Sequence, residues 1–327
     1  MTRSLRAWAE TWSLARPFAI SRGTKTHAHV IICVVEGDGC IGRGECVPYG
    51  RYGESTGSVL ASIREAAPAI ADGLDRPGLL ERMPAGAARN AIDCALFDWE
   101  AKVQGRPAWD IAGVAAPAEQ TTAETIALGD VEAMARTARA LSDRPLLKVK
   151  VGRDDVMARV AAVRREAPRA SLIVDANEAW DRQTLDTVCQ PLADLGVEMI
   201  EQPLPAAEDG ALAGYCGLVP LCADESFHTA ADMERLKPLY RIMNIKLDKA
   251  GGLTAALALA RAVRAAGLEV MIGCMVATSL AIAPALLLGT LAKVIDLDGP
   301  LWLARDRTPG LSIRAGRITP PPAALWG

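Results

Sequence analysis

The stretch Leu146-Leu147-Lys148-Val149-Lys150-Val151-Gly152 reads as a β-strand carrying two lysines on one face. Side chains alternate across a strand, so Lys148 and Lys150 point together while Leu147, Val149 and Val151 point the other way. Apolar residues on both flanks mark the strand as buried. Two adjacent ammonium groups out of water repel each other and lose hydration. Both effects are expected to lower a lysine pKa, toward the range in which it takes a proton from carbon. An isolated Lys-x-Lys is more often a strand end with two solvated lysines. The carboxylates that follow decide against that here.

Working outward, the chain alternates strictly between strand and helix from about residue 119. Thr121 to Leu128 reads as a strand and Val131 to Ala140 as a helix. After the lysine strand come a helix over 154–166, a strand 171–175, a helix 181–195, a strand 198–201 and a short weak helix near Asp209. Strands at 220–224, 241–247 and 269–275 each lead into a helix, and 293–297 is an eighth strand without one. Seven or eight β/α units in one run predict a parallel (β/α)7β barrel of the TIM type, over 116–300.

Residues 1–115 follow another pattern. An apolar strand at 30–35 and a turn at Asp38-Gly39 predict a hairpin with 40–45. Helices are expected over 58–73 and 85–104, so this part is an α+β capping domain. Phe18 to Thr26 is expected to be a mobile loop, and Pro48 to Gly57 a lid with two tyrosines. The tail, 301–327, is expected to return to the capping domain.

Catalytic groups in such barrels sit at the C-terminal strand ends. Asp175, Glu201, Asp224 and Lys246 fall 26, 23 and 22 residues apart, each step close to one β/α unit. The repeat therefore places them, with Lys150, around one mouth. Three carboxylates there repel unless a cation lies among them, and an all-oxygen set favours Mg²⁺, with Mn²⁺ as a substitute. Asn177 and Gln202 are expected to orient ligands, and Glu225 to help Asp224 or pair with an active-site lysine. Parity turns Lys246 inward and leaves Lys249 near the Gly251-Gly252 turn. Asp296 and Asp298 share a face at the last strand; binding a cationic group and capping the next segment both explain them. His27, His29 and His228 occupy no inner strand position, so histidine is not expected to be the base.

Composition narrows the partners. The 327 residues are 50% hydrophobic and 23% charged, with a net charge of -3 and 4% aromatic residues. That gives no footprint for nucleic acid or an anionic membrane. The eight scattered cysteines form no CxxC pair and read as reduced hydrophobes of a cytoplasmic protein. The N-terminus, with Arg3, Arg6, Glu10 and Arg16 among apolar residues, is not a signal peptide. Val270 to Ala292 lacks charge, but it divides into a strand, a polar turn and a helix with Pro284, which argues against a membrane span.

The ordered motifs Lys148-Val149-Lys150, Asp175-Ala176-Asn177, Glu201-Gln202-Pro203, Asp224-Glu225-Ser226 and Asn244-Ile245-Lys246 resemble the enolase superfamily, and most closely its muconate-lactonizing subgroup. GRGE at 42–45, the helix around Asn90, NIKLDKAGGLT at 244–254 and DLDGP at 296–300 extend the likeness over nearly the whole chain, toward the dipeptide epimerases. The resemblance implies Mg²⁺ on Asp175, Glu201 and Asp224, with Lys150 and Lys246 as the two bases of a 1,1-proton transfer. Lys148 would stabilise the enediolate. Asp296 and Asp298 would receive the ammonium group of a substrate such as L-Ala-D/L-Glu, Arg22 its carboxylates, and Thr125 would line the site. It also implies peptidoglycan recycling, and barrels of this kind often form homo-oligomers.

Rival chemistries through the same enediolate are N-acylamino acid racemisation, o-succinylbenzoate synthesis and cycloisomerisation, and dipeptides with other side chains are a further alternative. Acid-sugar dehydration lacks its histidine. A Schiff-base lysine would not need three carboxylates, and a non-catalytic barrel would not need the lysines.

Overall fold

The computed structural model describes residues 3–327. Three antiparallel strands open the chain: β1 (Ser4–Ile20), β2 (Gly23–Gly37) and β3 (Cys40–Cys46). The helices α1 (Thr56–Ala71), α2 (Arg76–Arg82) and α3 (Ala87–Gln104) pack on this sheet, followed by the single turn α4 (Ala108–Ile111). The N-terminal segment is thus one long strand, and Phe18 to Thr26 is not a loop. The pairs Phe18↔Lys25, Ala19↔Thr24 and Ile20↔Gly23 carry the ladder to a tight turn at Ser21-Arg22. Polar composition concealed a strand whose backbone groups are satisfied by its neighbour.

The barrel sheet runs in unbroken order through β5 (Glu124–Ile126), β6 (Leu146–Lys150), β7 (Ser171–Asp175), β8 (Val197–Glu201), β9 (Leu221–Ala223), β10 (Ile242–Ile245), β11 (Glu269–Gly273) and β12 (Val294–Asp296), all neighbours parallel. The Ala123 amide donates to Ile295 O at 2.8 Å, which brings the two ends of the sheet together. The expected first strand is divided. Its start, β4 (Gln120–Thr121), joins β13 (Ile313–Arg314) and β14 (Arg317–Ile318) in a separate small sheet.

Helices α5 (Val131–Ala140), α6 (Val156–Glu166), α7 (Arg182–Asp194), α8 (Met233–Leu236), α9 (Leu247–Ala250), α10 (Leu253–Ala265) and α11 (Ser279–Ala285) follow their strands, and only a 3-10 segment at Ala206–Leu212 follows β8. None follows β12 beyond a 3-10 turn. The architecture is therefore (β/α)7β with an N-terminal α+β domain. The last residues reach α3, where Trp326 Nε1 donates to Cys94 O at 3.0 Å and the Gly327 amide to Asp98 at 2.8 Å.

Inner-facing residues form layers. Ile173, Met199 and Cys222 belong to a small apolar cluster inside the barrel, and each lies two residues before an acid, Asp175, Glu201 or Asp224. Period-two alternation therefore puts a charged layer directly above an apolar one, at the C-terminal ends.

Candidate active site

A cavity of about 300 Å³ opens at those strand ends, between the barrel and the β1–β2 turn. Lys148, Lys150, Asp224, Lys246, Asp296 and Asp298 all face it. β6 is the second strand and β10 the sixth of eight, so Lys150 and Lys246 come from opposite sides of the ring. Asp175, Glu201 and Asp224 fill the arc between them on β7 to β9, and the Asp296–Asp298 pair stands on the other arc. Sequence reasoning brought these groups to one mouth; strand order separates them into four sides.

The carboxylates are buried and held by lysines. Lys150 Nζ lies 2.5 Å from Asp175, and Lys246 Nζ 2.7 Å from Asp224. Lys148, one layer deeper, reaches Asp296 and Glu201 at 2.7 Å and Asp175 at 3.1 Å. Here the expected lysine pKa direction is corrected. Burial does work against the charge on Lys148, but Asp296, Glu201 and Asp175 outweigh it and hold its pKa well above the ordinary value. Burial likewise opposes Lys246, and Asp224 and Glu201 again push it up. At Lys148 and Lys246 the surrounding carboxylates outweigh burial.

The acids divide in the same way. Burial would raise Asp175, yet Lys150 and Lys148 bring it down to about 2. Burial and the neighbouring Asp175 push Glu201 up to about 7. Glu201 Oε1 accepts from Asn244 Nδ2 at 2.9 Å, while the Lys148 ammonium lies 2.7 Å from Oε2. No three acidic, histidine or cysteine side chains among the described residues are gathered into a ready metal cage. Even so, three buried carboxylates on adjacent strands form an all-oxygen donor set that fits a hard cation, and lysine ammoniums neutralise them. Gly273 keeps room for Lys246, because a Cβ there would stand 2.6 Å from Asn244 Oδ1 and 3.0 Å from Lys246 Cε.

Several neighbours differ from expectation. Glu225 pairs with Arg22 at 2.5 Å, not with a lysine. Lys249 is buried rather than resting at the glycine turn, and donates to Asp224 Oδ1 at 2.6 Å and Asn244 O at 3.1 Å. The single turn α9 rotates it inward, which strand parity could not foresee. Gln202 Oε1 accepts from the Asp224 and Ser226 amides at 2.9 and 3.2 Å, fixing the segment that carries Asp224. Arg22 also meets Glu178 at 3.0 Å and Asn177 O at 2.7 Å.

On the far arc, Asp298 Oδ2 accepts the Thr125 amide at 2.7 Å, and burial with Asp296 nearby pushes its pKa up to about 6. Asp296 Oδ1 is buried without a partner. Sequence reasoning did not single out Lys25, which lines the mouth, or the wall of Cys274, Met275 and Val276. Only the predicted lid tyrosines, Tyr49 and Tyr52, hinted at this upper part.

Comparison with known proteins agrees with this geometry. Residues 2–113 match the family described as mandelate racemase / muconate lactonizing enzyme, N-terminal domain, and residues 130–324 match enolase C-terminal domain-like. The chain is 46% identical to the L-Ala-D/L-Glu epimerase of Escherichia coli over 318 residues, 97% of this chain and 99% of that one. It is 40% identical to the N-acetyl-D-glutamate racemase of a Pseudoalteromonas species, over 91% and 95% of the two chains. Among solved structures, an enolase family member from Agrobacterium tumefaciens, with homology to dipeptide epimerases and with bound sodium and L-Ala-L-Glu, has a TM-score of 0.98 at 45% identity, covering 99% of this chain and 100% of that one. The dipeptide epimerase of Enterococcus faecalis, complexed with Mg and L-Leu-L-Tyr, has a TM-score of 0.92 at 28% identity, covering 98% of both.

Proposed function

The chain belongs to the mandelate racemase / muconate-lactonizing branch of the enolase superfamily and is an isomerase, and we propose that it epimerises a dipeptide, L-Ala-D/L-Glu, at the C-terminal residue. The observation that carries this is the pair Lys150 and Lys246, set on opposite sides of one cavity whose other two sides are a carboxylate arc and the Asp296–Asp298 pair. A dipeptide has a carboxylate at one end and an ammonium at the other. With these ends on the two arcs, the carbon between lies between two bases.

Asp175, Glu201 and Asp224 would hold Mg²⁺, which when bound supplies positive charge to the substrate carboxylate and so acidifies the adjacent C–H. One lysine, in its neutral form, removes the α-proton while the other stays an ammonium, and Lys148 faces the charge of the resulting enediolate. The other lysine returns a proton to the opposite face, inverting the centre. Two bases of one type suit a reaction that runs both ways. Asp298, fixed by the Thr125 amide, and Asp296, with Oδ1 free, orient the ammonium.

The similarity to an N-acetyl-D-glutamate racemase makes N-acetylglutamate the second substrate to test. The orphaned Asp296 oxygen favours the free ammonium, because an acetamide has only one N–H to offer two buried carboxylates. The test is ¹H NMR of L-Ala-L-Glu and L-Ala-D-Glu with enzyme, Mg²⁺ and D₂O. Loss of the Glu α-proton signal, with both diastereomers arising from either one, is the expected result. Exchange on N-acetylglutamate with silence on every dipeptide would overturn the dipeptide assignment.

A further inference from the structure

We propose that Lys25 selects the acidic side chain of the reacting residue, while Arg22 serves as the clasp that fixes the hairpin bearing it. The inference rests on the dipeptide reading above and assigns the substrate's remaining group.

Five cations face the cavity: Arg22, Lys25, Lys148, Lys150 and Lys246. Four are neutralised. Lys148 has three carboxylates, Lys150 has Asp175, and Lys246 has Asp224. Arg22 has Glu225 at 2.5 Å and Glu178 at 3.0 Å, and its other bond is to Asn177 O. Of these five, Lys25 alone has no carboxylate partner among the described residues; the charged neighbours acting on it are the cations Lys246 and Arg22. Its Nζ lies 4.9 Å from the Tyr49 ring centroid, which leaves the ammonium at the mouth. An anion arriving there gains a full charge pair and relieves repulsion.

The hairpin register explains why Lys25 faces the site. Phe18↔Lys25 and Ile20↔Gly23 are directly opposed pairs, so Phe18, Ile20 and Lys25 share the face that closes the cavity. Arg22, at the turn, points to the barrel rim and ties the hairpin down through Glu178 and Glu225. With the α-carboxylate on the β7–β9 arc and the ammonium at Asp296 and Asp298, the side chain of the reacting residue is left to point at the cover. There the unpaired cation stands.

The experiment compares Lys25→Met, Lys25→Glu and Arg22→Met with wild type on L-Ala-L-Glu, L-Ala-L-Gln and L-Ala-L-Lys, reading kcat and KM separately. Lys25→Met is expected to lower kcat/KM for the Glu dipeptide by about 10²-fold, largely through KM, and to leave the Gln dipeptide within about threefold. Lys25→Glu is expected to raise the Lys dipeptide relative to wild type. Arg22→Met, which loosens the cover, is expected to lower Glu and Gln dipeptides alike. Equal losses on Glu and Gln in Lys25→Met, no loss, or a Glu-selective loss confined to Arg22→Met would each overturn the proposal. If wild type exchanges no dipeptide, the reaction assigned above has failed. The same comparison on N-acetylglutamate and N-acetylglutamine then judges Lys25 separately, and inertness on those as well overturns both.

Discussion

At the scale of residues, the site is an exchange of charge between buried carboxylates and buried ammoniums. A dication among Asp175, Glu201 and Asp224 would replace part of the compensation that Lys148, Lys150 and Lys246 now provide. Adding Mg²⁺ to metal-free protein is therefore expected to raise Tm, since a ligand specific for the folded state adds about 2.7 kcal/mol at a hundredfold excess over Kd. Glu201→Gln is expected to lose most of that rise in a thermal melt, and an equal rise in both proteins would remove Glu201 from the metal set. Asp298 offers a second test. Asp298→Asn keeps an acceptor for the Thr125 amide but not the charge, and is expected to cut kcat/KM for the dipeptide by about 10²-fold. Its effect on N-acetylglutamate should be much smaller, and similar losses on both would mean that Asp298 only shapes the loop.

At the scale of elements, the sheet of the capping domain depends on small residues facing α3. Gly42 and Gly44 in β3 lie against the helix backbone at Ala95, Trp99 and Ala91, so closely that an added Cβ at either would collide with main-chain atoms. A helix backbone cannot yield as a flexible side chain can. Gly44→Ala is expected to destabilise the protein by about 2 kcal/mol or more, measured by urea denaturation. A change below about 0.5 kcal/mol would show that α3 shifts freely on the sheet. The same sheet marks where sequence patterning falls short. The hairpin of β2 and β3 was legible from an apolar run and an Asp-Gly turn, whereas β1 alternates weakly and its last turn is polar. Its strand character comes from β2, its partner, and from the barrel rim beneath Arg22.

At the scale of the whole molecule, the two domains meet through buried acids. Glu45 accepts the Thr278 amide at 2.9 Å and Arg307 Nε at 3.0 Å. Asp248, from the barrel, accepts the Val47 amide at 3.0 Å and Asn90 Nδ2 at 2.9 Å, both from the cap. Burial pushes the Asp248 pKa from 3.8 up to about 7. The folded state therefore binds the extra proton between those values. The stabilisation is full below about pH 4 and is lost as pH rises through 7, worth at most roughly 4 kcal/mol. Asp248→Asn, neutral throughout, is expected to gain Tm relative to wild type more at pH 8 than at pH 5. A difference independent of pH would refute the assignment. No helix among the described residues is long and apolar enough to cross a membrane, so the uncharged stretch at 270–292 is an interior strand and helix.

The sequence by itself determined the barrel and the identity of its charged ring. Both rest on short-range rules, the period of two within a strand and the 22-to-26-residue repeat between strand ends, which act whatever the rest of the chain does. Only the tertiary structure decided how those charges compensate one another. Lys148 was legible as an inward lysine, but its three partners come from β7, β8 and β12, far apart in the chain, and they reverse the pKa shift that its local neighbour suggested. Arg22, Glu225 and Lys25 are the same case at the cover. Which cation is paired and which is free depends on where a hairpin comes to rest on a barrel, and Coulomb interactions follow distance in space rather than along the chain.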